Sequence, residues 1–297
     1  MTGADSAGDR TPGQRRTVEW PRPESFYLTL DLECDFGTAL SENTYQAVEA
    51  VDQLVSLLKE RDTPLTCFVQ TELLDVKPAV VEELRNCGVD VRFHPHSHTH
   101  RRQEQAAVDA ELRRSTDRYR AFFGREAVGY RFPNGNVREE DYRLLVEHGY
   151  EFDASIFPLW RPNHFDNTRA PTRPQYLAGY DLFEIPFTVY SDRLRIPTAL
   201  SYNRLFRRPF DWLLTRRPPP VVVYNIHMHD LITPESYRTL PAPYKLVYGM
   251  NDRGFELLAK ILDAFFAAGY TFGTIDDVHQ QLRAGVSTTE PAAGHSR

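Results

Sequence analysis

The feature that most constrains the fold is an alternation of short apolar segments with amphipathic ones along the chain. Short runs rich in β-forming residues predict seven buried strands, at 26–32, 65–70, 89–93, 127–131, 151–154, 220–226 and 270–274. Apolar residues spaced by three and four predict helices over 45–60, 79–86, 104–123, 139–148 and 255–268. Because strands that alternate with helices form parallel sheets, we expect an α/β fold, a distorted or incomplete (β/α) barrel of about seven parallel strands.

The alternation stops at both ends and once inside the chain. Residues 1–24 and 284–297 are polar and aperiodic, which predicts disordered N-terminal and C-terminal tails. Proline, arginine and aromatic residues crowd 157–218, which predicts an insertion within a single catalytic domain over 25–283. Insertions at the ends of barrel strands often shape a substrate site.

Composition limits the class of partner and the location. A hydrophobic content of 41% suits a soluble globular protein, and 35 Lys+Arg against 41 Asp+Glu give a net charge of −6. A nucleic-acid partner is therefore not expected. The N-terminal residues lack the apolar core of a signal peptide, and no stretch is long and apolar enough for a transmembrane helix, so we predict a cytoplasmic protein. The oligomeric state is left open.

An acidic segment ends the first predicted strand. Asp31, Glu33 and Asp35 fall on one side of the chain if the strand stays extended. Three adjacent carboxylates repel one another unless a cation or a proton lies between them. A bound metal ion would supply that cation and leave one carboxylate as a general base.

A histidine-rich loop follows the third predicted strand. It contains His94, His96, His98 and His100, four of the ten histidines in the chain. Imidazole is a common ligand of Zn²⁺, and two histidines four apart on a turn can face one point. Since reactive groups of parallel β/α proteins gather at the carboxyl ends of strands, the loop predicts a site for Zn²⁺ or another first-row divalent ion.

Two further segments lie at predicted strand ends. Arg131 precedes Pro133 and Gly135 in a turn that could hold a guanidinium against a carboxylate. His227 and His229 follow the most apolar strand, where one of them could protonate a leaving group.

With these segments in view, the chain resembles the polysaccharide deacetylases that have a NodB homology domain, similar to carbohydrate esterase family 4, from about Phe26 to about Leu282. The resemblance rests on five segments in the family's order, 28–33, 88–98, 131–135, 149–155 and 224–227. They are similar to a strand ending in D-x-D/E, to H-x-x-S/T-H, to R-x-P-x-G, to G-Y-x-x-D-x-S and to L-x-x-H. Phe132 replaces the second proline of the commoner R-P-P form.

The resemblance implies a metal ligand set. It implies Glu33 as the acidic ligand, with Asp35 as a rival, and His94 and His98 as the two histidines. The pair His96 and His100 is the alternative register.

The resemblance also implies catalytic roles. Asp31 would be the general base, Arg131 would orient and ionise it, and His227 would be the general acid with His229 as its competitor. The residues expected to contact substrate are Pro133, Asn134, Asp153, Trp160 and His229.

The implied activity is metal-dependent hydrolysis of C–N bonds other than peptide bonds, most often deacetylation of an N-acetylated sugar. The substrate would be a small molecule or a glycan. A cytoplasmic location favours a soluble sugar conjugate, a nucleotide-sugar or a glycolipid head group. The alternatives are a hydrolase of ureides or cyclic amides and a non-catalytic carbohydrate-binding protein.

Overall fold

The computed structural model describes residues 15–100, 105–161, 165–249 and 253–289. Its strands are β1 (Arg15–Thr17), β2 (Ser25–Leu32), β3 (Leu65–Val69), β4 (Val91–Pro95), β5 (Gly129–Tyr130), β6 (Phe152–Asp153), β7 (Trp160–Arg161), β8 (Phe165–Asp166), β9 (Gln175–Leu177), β10 (Leu182–Glu184), β11 (Val221–His227) and β12 (Thr271–Gly273).

The α-helices are α1 (Val51–Arg61), α2 (Leu73–Val76), α3 (Pro78–Arg85), α4 (Gln105–Phe123), α5 (Glu139–Glu147), α6 (Leu200–Arg216), α7 (Met228–Leu231), α8 (Ala242–Tyr248), α9 (Gly254–Ala267) and α10 (Ile275–Thr289). Short 3₁₀ turns lie at Gly37–Ala39, Ala47–Ala50, Pro133–Gly135 and Glu235–Thr239. None of the helices in the described ranges is long and apolar enough to cross a membrane.

Strand β2 lies at the centre of the main sheet, and all eight of its residues are buried. One edge of β2 pairs in parallel with β11. On the other edge, the first half of β2 pairs with β12 and the second half with β3. Strand β4 then pairs with β3. The register sets His227 beside Asp31. The carboxyl ends of these strands therefore meet at one edge, as the sequence predicted.

A second sheet continues the arrangement. Its strands β5, β6 and β10 are parallel, while β9 and β1 extend it in antiparallel pairs. The two sheets are joined at the strand ends by a backbone hydrogen bond from Arg131 N–H to the Pro95 carbonyl, at 3.2 Å. The predicted α/β fold with an incomplete parallel barrel is confirmed, and each of the seven predicted strands is present.

The structure differs from the sequence prediction at the two ends. Arg15–Thr17 was assigned to a disordered tail but pairs with Gln175–Leu177, and the Arg15 guanidinium lies over the Tyr142 ring. Helix α10 extends to Thr289, because Val286 packs in an apolar cluster with Leu282 and other core residues. The rest of the predicted tails, 1–14 and 290–297, lies outside the described residues.

The predicted insertion at 157–218 is part of the body of the fold. Strand β10 pairs with β6, and the buried side chains of α6, Leu200, Phe210 and Leu214, join the main core. These elements were missed because the strands have only two or three residues each, too few for a periodic pattern, and because Pro209 interrupts the helical sequence.

Candidate active site

One acidic and two histidine side chains converge where β2 and β4 end. The donor atoms of Glu33, His96 and His100 all lie within 4.8 Å of one another, and the three side chains are buried. His96 Nε2 is 3.2 Å from Glu33 Oε2, and His100 Nε2 contacts the same oxygen. This set of two imidazoles and one carboxylate is suited to a first-row divalent ion.

The bonds around His96 indicate how its ring is protonated. His96 Nδ1 is 2.9 Å from the carbonyl oxygen of Arg131, and since a carbonyl only accepts, Nδ1 carries the proton. In the neutral ring Nε2 then directs a lone pair at a carboxylate, an arrangement that a shared cation stabilises. His100 Nδ1 is buried and has no hydrogen-bond partner among the described residues. The residues therefore fit a metal ion.

The local backbone accounts for the position of His100. Ser97 and His100 both have positive φ, at 69° and 41°, so the loop turns back on itself after β4. The His100 N–H donates to Ser97 Oγ at 3.1 Å. A Cβ at Gly37, whose φ is +54°, would be 2.8 Å from His100 Cε1, so only glycine allows the ring this close.

The structure does not bring His94 and His98 together with Glu33, which lies beside the alternative pair, His96 and His100. His94 Nε2 bonds to Asp276 at 2.9 Å, and its Nδ1 accepts the Gly129 N–H. His94 lies within β4 and His96 directly after its end, and two residues of extended chain span about 6.6 Å, so the two imidazoles start from different levels. His98 Nδ1 instead contacts Thr71 Oγ1, at 2.9 Å.

Asp35 is also outside the cluster. Its carboxylate accepts hydrogen bonds from the Gln46 and Ala47 N–H groups and from the Thr44 and Ser236 hydroxyls, at 2.8 to 3.0 Å. These bonds use its lone pairs to hold the loop after β2. Glu33 is therefore the acidic member of the cluster.

Asp31 and Arg131 form a buried ion pair beside the cluster. Arg131 Nη1 donates to Asp31 Oδ1 at 2.6 Å, and Asn225 Nδ2 donates to the other oxygen at 3.1 Å. The guanidinium lies between the rings of Phe68 and Phe187, 3.8 and 4.2 Å from their centroids. Burial opposes ionisation of Asp31, but the nearby positive charges outweigh it and hold the pKa of that carboxyl below its usual value.

His227 reaches the same point from the end of β11. Its Nε2 is 3.5 Å from Asp31 Oδ2 and 3.8 Å from Glu33 Oε1, while its Nδ1 bonds to Asp230 at 2.8 Å. Burial lowers the pKa of His227, but the hydrogen bond and charge of Asp230, with the charges of Glu33 and Asp31, raise it to about 9. His227 can therefore be protonated at neutral pH.

His229, the predicted competitor, has a different environment. Its Nδ1 accepts the Phe36 N–H at 3.2 Å, so that nitrogen carries no proton. Burial and the charge of the adjacent His227 lower the pKa of His229 to about 4. His229 is therefore a neutral residue that holds the loop of Phe36.

These groups form the floor of a cleft with apolar walls. The cleft holds about 1270 Å³ of space not filled by atoms, with the open mouth included. Its walls include Phe36, Phe132, Phe157, Leu159, Tyr202, Leu205, Tyr244 and Tyr248.

Not all of the predicted substrate contacts line this cleft. Asn134 and His229 do. Pro133 and Trp160 are not among its lining residues, although their neighbours Phe132 and Leu159 are. Asp153 is buried and is not among the lining residues, and its carboxylate hydrogen-bonds Ser155 and Glu184.

Two residues of the site were not assigned roles from sequence. Asn225 binds Asp31, and the signal for it was a lone amide in the apolar strand β11. Asp230 binds His227, and the signal was an acidic residue three positions after a histidine, a spacing that faces it in one helical turn.

Comparison with known proteins identifies the family. Residues 22–152, somewhat less than half of the chain, match the family model described as polysaccharide deacetylase. This chain carries a polysaccharide deacetylase domain. The matched residues include Asp31, Glu33, His96, His100 and Arg131, while His227 lies beyond them. Comparison with curated protein sequences gave no match.

Three solved structures with similar folds illustrate the range of relatives. A peptidoglycan N-acetylglucosamine deacetylase has a TM-score of 0.53 and 13% identity, with 89% of this chain and 91% of that chain covered. The PuuE allantoinase has a TM-score of 0.55 and 14% identity, with 90% and 95% covered. A family 4 carbohydrate esterase pseudoenzyme from Bacillus anthracis has a TM-score of 0.54 and 12% identity, with 91% and 70% covered. At these identities the likeness shows the fold of the polysaccharide deacetylase domain and not its substrate.

Proposed function

We propose that this protein is a metal-dependent hydrolase of amide C–N bonds outside peptides, and that it removes the acetyl group from an N-acetylated sugar or glycoconjugate. The observation that carries the proposal is the convergence of two sets of groups. The Glu33, His96 and His100 donors lie beside Asp31 and His227, so a metal site, a base and an acid face one point.

The proposed ligands of the ion are Glu33, His96 and His100. Two neutral imidazoles and a carboxylate suit Zn²⁺, and other first-row divalent ions are compatible with the same donors. A bound divalent ion supplies Lewis acidity, which polarises a carbonyl group and lowers the pKa of water.

Asp31 is proposed as the general base. Its lowered pKa keeps it ionised at neutral pH, and the bonds from Arg131 and Asn225 fix its orientation. Asp31 accepts the proton of the attacking water. Arg131 stays charged throughout and prevents the buried carboxylate from taking up a proton beforehand.

His227 is proposed as the general acid. Cleavage of an amide requires a proton for the departing nitrogen, because an amide anion is a very poor leaving group. The protonated His227, held by Asp230, is placed to donate that proton from Nε2, which is the atom nearest Asp31 and Glu33.

The cleft supports a sugar as the substrate. Aromatic rings of Phe132, Tyr202, Tyr244 and Tyr248 line it, and aromatic side chains are surfaces against which sugar rings pack. The same acid, base and metal donors could also open a ureide, as the fold of the allantoinase relative indicates.

The test combines metal content with a substrate panel. We expect near-stoichiometric divalent metal in the purified protein by elemental mass spectrometry, lost in His96→Ala/His100→Ala and retained in the matched control His94→Ala/His98→Ala. Acetate release from N-acetylglucosamine oligomers and nucleotide-linked N-acetylglucosamine should be lost in the variant that loses metal and kept in the variant that retains it. Metal kept by the first pair and lost by the control would refute the ligand set. Turnover of allantoin but of no N-acetylated sugar would indicate a ureide hydrolase instead of a deacetylase. Stoichiometric metal without turnover of any substrate would favour a binding protein.

A further inference from the structure

The outer face of α6 combines exposed apolar side chains with arginines. Leu205, Phe206 and Trp212 have 50%, 43% and 58% of their surface exposed. Large apolar side chains that are exposed close together in the sequence are typical of an interaction surface. The buried side chains of the same helix, Leu200, Phe210 and Leu214, face the core. The exposed residues therefore point away from the body of the protein.

The charge of this segment is opposite to that of the chain. Residues 200–217 contain five arginines and one acidic residue, a net charge of +4, whereas the whole chain has −6. The rest of the chain thus has −10, and the positive charge is concentrated in one element. Such local asymmetry is typical of a surface that binds anions.

Most of these arginines are not used inside the protein. Arg204 bonds to the Tyr248 and Gly249 carbonyls and to Asp230. Among the described residues, the side chains of Arg207, Arg208 and Arg216 have no hydrogen-bond or ion-pair partner. Surface arginines elsewhere, such as Arg113 and Arg143, each pair with an acidic residue one turn away.

A break in the helix presents the two central arginines. Arg207 has φ 54° and ψ −147°, and Pro209 follows, so the helix is interrupted there. Residues 205–209 are exposed as a continuous run of Leu-Phe-Arg-Arg-Pro. An exposed turn that carries apolar and cationic side chains together can insert the former among lipid chains and keep the latter at the head groups.

We propose that this face, defined by Leu205, Phe206, Arg207, Arg208, Trp212 and Arg216, docks on an anionic lipid bilayer. Basic residues near an anionic surface attract it, and tryptophan favours the boundary between water and hydrocarbon. The positive charge of the face favours an anionic lipid surface over a neutral apolar partner, because a neutral partner would leave the arginines without counter-charges.

The docked face is continuous with the cleft. Leu205 is both on the exposed face and in the wall of the cleft, next to Tyr202 and Arg204. Docking would set the cleft mouth at the level of the head groups, within reach of a sugar attached to a lipid. The docking itself does not depend on the proposed hydrolysis, and vesicle binding is measured without substrate.

The test is co-sedimentation of the full chain with vesicles of phosphatidylcholine alone or mixed with phosphatidylglycerol. We expect binding to the mixed vesicles only, weakened by salt. Each arginine near an anionic surface contributes about fivefold to the partition coefficient, so Arg207→Ser/Arg208→Ser should lower it roughly 25-fold. The control Arg113→Ser/Arg143→Ser removes the same charge elsewhere and should change it little.

Trp212 provides a second readout that does not depend on charge. Its fluorescence should shift to shorter wavelength on binding, and Trp212→Phe should lose the shift. Absence of binding, or equal loss in the two arginine pairs with both variants folded by circular dichroism, would overturn the proposal. A concentration-dependent dimer that Arg207→Ser/Arg208→Ser disrupts, without vesicle binding, would also overturn it and assign the face to a second copy of the chain.

Discussion

The bond between His227 and Asp230 makes the titration of His227 a measurable property of the fold. Asp230→Asn keeps the size of the side chain and an oxygen that can accept from Nδ1, but it removes the negative charge. In the wild-type protein without metal the pKa of His227 is raised to about 9, against an ordinary value of 6.5. Asp230 gives the largest of the contributions that raise it. We therefore expect the pKa to fall toward its ordinary value in the variant.

The magnitude follows from this difference. A pKa raised from 6.5 to about 9 corresponds to about 3 kcal/mol of folding free energy, at about 1.4 kcal/mol per pH unit. The folded state binds the proton more tightly than the unfolded chain does. The stabilisation is thus complete below pH 6.5 and is lost as the pH rises to about 9. In Asp230→Asn, most of this loss of folding stability between pH 6.5 and about 9 should be absent.

The assay is urea unfolding of metal-free protein between these pH values, with the His227 ring followed by NMR in parallel. Asp230→Asn removes one buried anion beside Arg204, so its stability at a single pH is not the criterion. The criterion is the slope of stability against pH. If wild type and variant have the same slope and the same His227 pKa, then Asp230 does not tune the proposed acid.

Three other changes test separate parts of the site. Arg131→Met leaves Asp31 buried without its cation, so the free energy of unfolding should fall by about 3–5 kcal/mol in urea titrations, and a loss under 1 kcal/mol would contradict the role of the pair. Glu184→Gln replaces a buried carboxyl whose pKa is raised well above its usual value by burial and by the adjoining carboxylate of Asp153. The wild-type protein therefore loses stability as the pH rises and this carboxyl ionises, so the variant should be more stable than wild type at alkaline pH in urea titrations. The same dependence of stability on pH in both proteins would contradict this. Gly37→Ala should strain a left-handed position by about 1–2 kcal/mol and displace the His100 ring, so competition with a chelator should show weaker metal binding, while unchanged affinity would refute the close approach.

The sequence predicted the fold and the location of the site well, because both depend on repeating patterns. Strand β2 and strand β11 stand out as apolar runs, and the polar residues after them mark the carboxyl ends of parallel strands. Asp31, Glu33, Arg131 and His227 were found in this way and do lie together.

The choice between the two histidine registers could not be made from the pattern alone. Both pairs are four residues apart, and the strand geometry ends within the run, at Pro95. The direction of His100 depends on two left-handed residues, and the partner of His94 is Asp276, 182 residues away. Positive φ at residues other than glycine is not apparent from the sequence, and Asp276 lies far outside the loop. Asp230 was overlooked for a related reason, since its importance depends on which of two histidines faces the carboxylates.

The pairing of β2 bears on how the chain is made. Strand β2 ends at Leu32, yet β11, which covers one whole edge of it, begins only at Val221, and β12, which covers half of the other edge, begins at Thr271. The Thr29 hydroxyl, for example, finds its partner Asn225 only 196 residues later. A nascent chain therefore holds an apolar strand with one open edge until residues 221–227 have been made, a condition that favours chaperone engagement and slow folding. His227 arrives at the end of β11, so the reactive centre stays incomplete until that strand has paired with β2.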